Sequence, residues 1–173
     1  MNELDEVWAQ MLNEARSKAQ IAGNRDVAEY LALKATNDAI RQASVQWLFD
    51  SLMEIASFEN RDSANITTET ENAHRFSFGN ANLVGPRLNF RQGVRCLTLE
   101  AGWTRTPSDG FMRGGALACA KISHFGISKH NAELLLLRNN DVPNWFSVDK
   151  DGRRDLFNAI HLQRHFQVFL GTI

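Results

Sequence analysis

Residues 87–99 read Arg87-Leu88-Asn89-Phe90-Arg91-Gln92-Gly93-Val94-Arg95-Cys96-Leu97-Thr98-Leu99. Leu88 and Phe90 alternate with Arg87, Asn89 and Arg91, a period of two that puts the apolar pair on one face of a strand and the polar trio on the other. Arg91-Gln92-Gly93 has the length and terminal glycine of a three-residue loop, so the stretch predicts an antiparallel hairpin. Working outward, Thr, Phe, Val and alternating polar residues between Gly and Asn turns predict strands near 73–78, 84–90, 94–103, 116–125, 132–138 and 144–148. The short connections favour neighbouring antiparallel pairs, a meander.

On the amino-terminal side the period changes to 3.6. Leu4, Val7, Trp8, Met11, Leu12, Ala15 and Ala19 fall on one stripe of a helix over 3–22. Gly23-Asn24 stops it and offers a cap for a second helical stretch, with Val27, Leu31, Ala35, Ile40, Trp47, Leu48, Leu52 and Ile55 at helical spacing. Thr36-Asn37-Asp38 leaves one long helix or two shorter ones open. At the other end Leu156, Ile160, Phe166 and Phe169 predict a packing stripe on a closing helix, with Gly171 as its stop. The expectation is a single α+β domain over 1–173: amphipathic helices in 1–60, a mainly antiparallel meander sheet of five or six strands in 64–150, and a helix in 153–170. Ala116, Ala118 and Ala120 line one strand face that a helix can approach closely, and Leu134-Leu135-Leu136-Leu137 reads as a central strand covered on both faces, or as one covered by helices on one side and an oligomer contact on the other.

At 173 residues, 43% hydrophobic and 23% charged, the chain has the composition of an ordered globular domain. No apolar stretch approaches the roughly 20 residues of a membrane span. Met1-Asn2-Glu3-Leu4-Asp5 lacks a secretory n-region, and Cys96 and Cys119 form no CxxC, which together point to a reducing cytoplasm.

The near-neutral total charge hides a dipole. Residues 1–72 hold 6 Lys and Arg against 13 Asp and Glu, residues 73–125 hold 7 against 2, and residues 126–173 hold 6 against 5. Arg87 and Arg91 share a strand face, and guanidinium groups suit phosphate or carboxylate. The loop of residues 104–115 is longer than a hairpin needs. Arg105 and Arg113 flank it, Phe111 and Met112 supply apolar contacts, and Gly114-Gly115 frees backbone N–H groups to turn towards an anion; the alternative is an ordinary connection whose Phe111 plugs the edge of the core. These residues make the leading expectation a non-enzymatic binding module for an anionic partner: a protein surface, a nucleotide-like metabolite or, with no motif in its support, nucleic acid. The simpler account of the arginines is that they pair with the acidic helices.

Known chemical signatures are missing. The 104–115 loop lacks the GK[ST] of a phosphate-binding loop, and Asp149-Lys150-Asp151-Gly152 has its glycine too early for a calcium loop. His161 and His165 stand four apart on one helical face, but the glutamate of HExxH is replaced by Leu162 and no third ligand is evident, although His124, Cys96 and Cys119 could complete a site if the fold brought them together. No metal and no cofactor is called for. One alternative is a small enzyme acting on an anionic metabolite, its site assembled from distant residues such as His74, Glu100, Asp109 and His124, with Arg105 and Arg113 fixing the substrate and His124 or Glu100 moving a proton. Another is a structural subunit, compatible with a homodimer, whose charge is neutralised internally.

Overall fold

The 3.6-residue pattern folds as two helices, α1 (Glu3–Ile21) and α2 (Arg25–Arg61), in a computed structural model that describes residues 3–173. Thr36 does not break α2: its hydroxyl donates to the carbonyl of Ala32 one turn back, so the helix absorbs it. The chain divides into two compact units, one ending at Ala43 and one spanning Ser44–Ile173. In the first, α1 pairs with the opening turns of α2. Trp8 donates its indole N–H to Asp38 (3.2 Å), Lys34 lies 4.6 Å over the Trp8 ring, and Asp38 also accepts from Arg41 at 2.6 Å.

The second unit is a seven-stranded antiparallel meander with strands in chain order. The strands are β1 (Thr67–Phe78), β2 (Ala81–Gln92), β3 (Arg95–Gly102), β4 (Ala118–His124), β5 (Ala132–Asn139), β6 (Val142–Val148) and β7 (Arg154–Phe157). The fold is α+β as expected, with seven strands in place of five or six. The additional strand is β7, which takes the first residues of the span 153–170 expected to be helical. Phe157 is buried on β7 opposite Trp145, whereas Leu156 and Ile160, expected to pack, are exposed. Asn158 then caps the helix proper, α3 (Ala159–Leu170), by accepting from the N–H of Ile160, and Gly171 ends it in the left-handed conformation. The β2–β3 loop has two residues, not three. Gln92 pairs with Arg95, and Gly93 takes positive φ at the first loop position, where a tight hairpin needs glycine.

Register and alternation divide the sheet into two faces. One carries Leu88 and Phe90 of β2, Leu97 and Leu99 of β3, Ala118, Ala120 and Ile122 of β4, Leu134 and Leu136 of β5, and Trp145 of β6, all buried. Trp145 donates to the carbonyl of Ser44, and Phe90 meets Phe166 edge-on at 5.3 Å, so α2 and α3 cover this face. Val45, Leu48, Phe49, Leu52 and Ala56 form the buried stripe of this half of α2. The opposite face holds a smaller core of Phe76, Phe78, Leu83, Cys119 and Leu135, against which Met112 packs from the 104–115 loop. That second core explains why 134–137 is apolar on both sides.

Alternation slips once. Between Glu71, opposite Arg87, and His74, opposite Gly85, two residues of β1 stand against Pro86 alone. Proline has no N–H to give a ladder, and the bulge falls where that donor is missing. Close by, β2 and β3 approach so tightly that a Cβ on Gly102 would lie 2.5 Å from the carbonyl oxygen of Val84, and one on Gly85 would collide with that of Ala101. Gly85→Ala is therefore expected to cost about 3 kcal/mol by overpacking, while Gly93→Ala, strained in φ but open in space, costs about 1 kcal/mol. Urea denaturation of both variants checks this; equal losses would refute the close approach.

Candidate functional site

The arginines find their acids in the sheet and the loop. Because β1 begins at Thr67, Glu69 and Glu71 belong to the sheet and not to the helices. Arg87 pairs with Glu71 at 2.8 Å, Arg113 with Glu133 at 2.9 Å, and Arg75 with Asp109 at 3.1 Å. Arg105 lies 4.0 Å over the Trp103 ring and donates to the carbonyl of Val84 at 3.2 Å. Arg91 is exposed on the face that it shares with Arg87. In the 104–115 loop, Asp109 turns inward and accepts from the backbone N–H groups of Thr106 (2.9 Å) and Arg105 (3.0 Å). Those two donors, with Arg75, hold its carboxyl down at about 2. Phe111 is 95% exposed, and it is its neighbour Met112 that closes the small core. A Cβ on Gly114 would fall 2.5 Å from the guanidinium of Arg154, so a cation already fills the space beside the paired glycines.

The bulge in β1 creates a second polar feature. Residues three apart on a regular strand face opposite ways, but the extra residue turns Glu71 and His74 to the same side. His74 Nε2 meets Glu100 Oε1 at 2.6 Å, and its Nδ1 lies 3.6 Å from Glu71. Glu100 points away from His124: His124 stands opposite Leu97 on the covered face, and Glu100 is three residues along β3 on the other. The four residues proposed for an assembled active site therefore separate into the His74–Glu100 pair, Asp109 in its loop, and His124. Arg105 and Arg113 flank the loop that precedes β4, while His124 ends that strand; five residues of strand, about 17 Å, separate Cys119 from His124.

What the fold gathers is histidine. Four of the five histidines follow residue 123, and they meet where β4 ends and α3 crosses. His124 closes β4, its backbone N–H held by the Asn131 side chain at 2.8 Å. Its Nε2 lies 2.9 Å from Nδ1 of His165, with the rings stacked at 5.3 Å. His130, from the short turn Ser128–His130, stands edge-on to His124 at 6.1 Å. His161, one turn before His165, stacks on Phe157 at 5.3 Å and takes part in the Asn158 cap. Beside them opens a cavity of about 450 Å³ lined by His130, Phe157, His161, Arg164, His165 and Val168, with Ala132, Ser147 and Ile173 completing its wall.

Burial, then the neighbouring His130, lowers the His124 imidazole to about 4, and burial followed by the other imidazoles lowers His165 to a similar value. Both are neutral at pH 7, so one donates and the other accepts across their 2.9 Å contact. These nitrogens are turned to each other, and among the described residues no three of His, Cys, Asp or Glu are placed to hold a metal ion. His161 and His165 were legible as a pair; His130, Phe157 and Arg164 were not, and the signal at hand was the crowding of histidines towards the carboxyl end. Comparison with protein-family models, with curated proteins and with solved structures finds no match for this chain.

The pair fixes a pH dependence. Folded-state values near 4 lie below the ordinary 6.5, so on acidification the unfolded chain takes up protons first. The contribution is complete above about pH 6.5 and is lost as pH falls towards 4, at no more than about 1.4 kcal/mol per pH unit for each histidine. His165→Gln is expected to flatten the fall in unfolding free energy between pH 7 and 5. A slope identical to that of the unmodified protein would refute the neutral buried pair.

Proposed function

We propose that this protein is a binding module for a small anion with an apolar body, held in the histidine-lined cavity between β5, β7 and α3. The observation that carries the reading is the cavity itself: about 450 Å³, with an apolar wall from Phe157, Val168 and Ala132, three imidazoles and one guanidinium. Its size falls in the range of small-molecule sites, which pair apolar walls with a few convergent polar groups. The Phe157 ring and the neutral His165 imidazole accept a flat or aliphatic body, and Arg164 offers a planar two-pronged donor to a carboxylate. The Arg-rich sheet face and the 104–115 loop support the reading less, because Arg87, Arg105 and Arg113 are each engaged within the chain. The two cysteines are free thiols, which supports a reducing, cytoplasmic setting.

A second reading, an enzyme acting on such an anion, takes its support from the His124–His165 contact, since two neutral imidazoles in hydrogen-bond reach can pass a proton. Titration calorimetry separates a specific cavity from a general anion surface. Octanoate and 1-naphthoate are expected to bind more tightly than inorganic phosphate. Arg164→Ala weakens them about tenfold, the worth of one charge-assisted hydrogen bond, and Val168→Trp, which fills the cavity, removes binding. Phosphate binding as tightly as the carboxylates, or Val168→Trp leaving affinity unchanged, would overturn the assignment.

A further inference from the structure

The helical unit leaves an apolar stripe uncovered. Along α1, Leu4 is 66% exposed, Val7 50% and Met11 57%, and from the opening turns of α2 Tyr30 and Leu33 are exposed as well. The three α1 residues follow three- and four-residue steps, so they form one ridge beside Leu12, the one α1 side chain buried. Within its described residues the unit buries Leu12, Ala28 and Asp38 alone, whereas helices in proteins take most of their stability from packing an apolar face.

The charges of α1 are ordered end to end. Glu3, Asp5 and Glu6 occupy the first turn and Arg16 and Lys18 the last part, with Met11 near the middle and Glu14 the one acid in the basic half. We propose that this ridge docks on a second copy of this chain, α1 against α1 in antiparallel order about a two-fold axis near Met11. That arrangement sets the acidic end of each helix beside the basic end of the other, brings Glu3 level with Lys18 across the axis, and opposes the helix dipoles favourably. A parallel pairing would place acid on acid. A lipid surface is a poorer fit, since α1 carries more acids than bases while anionic membranes attract basic helices.

Sedimentation velocity of the full chain over a wide concentration range tests this, with circular dichroism of each variant to show that the fold persists. The unmodified protein is expected to reach twice its 19.5 kDa mass. Met11→Lys, which buries two like charges at the axis, weakens association about a hundredfold or more. Glu3→Lys and Lys18→Glu each weaken it about fivefold, and the two together restore it. A chain that is monomeric at every concentration, a Met11→Lys protein that still dimerises, or a monomer that floats with phosphatidylserine vesicles would each overturn the proposal.

Discussion

Alternation with period two is the constraint on which the rest of the sheet unit depends. Once Leu88 and Phe90 face α3, the ladder leaves no choice for the strands beyond: Leu97 and Leu99, then Ile122, Ala120 and Ala118, then Leu134 and Leu136 must take the same side. A shift of one residue anywhere would turn a whole strand's apolar set to water. The chain permits one exception, where Pro86 cannot donate, and uses it to carry β1 past the gap. Without that slip Glu71 would face away from His74, and the chain of contacts from Arg87 through Glu71 and His74 to Glu100 would be divided between two faces.

Part of the basic segment's charge is taken up inside the sheet unit. Arg75, Arg87 and Arg113 each meet an acid supplied by β1, β5 or the 104–115 loop. Exposed pairs of this kind contribute little to stability, roughly 0–1 kcal/mol each. Their larger effect is negative: a guanidinium with a carboxylate at 2.8 Å has much of its field cancelled before any ligand arrives. Asp109 is the exception in weight, because two backbone N–H groups converge on it and fix the loop that brings Met112 onto the small core.

Local signals carried most of the architecture. The stripe of α1, the helical pattern of α2 though not its continuity past Thr36, the order of six strands and the stop at Gly171 depend on neighbours a few residues away, and those were legible. β7 was not, because Leu156, Ile160 and Phe166 imitate a helical stripe when nothing indicates that Phe157 lies opposite Trp145. The 104–115 loop misled for a related reason: its glycines and arginines match an anion cradle, whereas Arg154, forty residues on, fills that space. The histidine site depends on contacts between residues 41 apart in the chain. Spacing within α3 could show two imidazoles on one face but not which strand end they would meet.

The cavity sits where alternation runs out. His124 is the last residue of β4 on the covered face, so it inherits the burial of Ile122 and Ala120 without an apolar side chain to match. A charged group there would be penalised by desolvation; an imidazole escapes by remaining neutral and by finding its hydrogen bond in His165. The same choice determines what the cavity can offer. With the buried His165 imidazole uncharged, the proposed site draws its attraction for an anion from Arg164, exposed on α3 at the margin, and its fit to the body of a ligand from Phe157 and Val168. Attraction at the rim and apolar fit inside act on different parts of one molecule, which is why the ligand proposed above is an anion with an apolar body and not a compact, fully charged one.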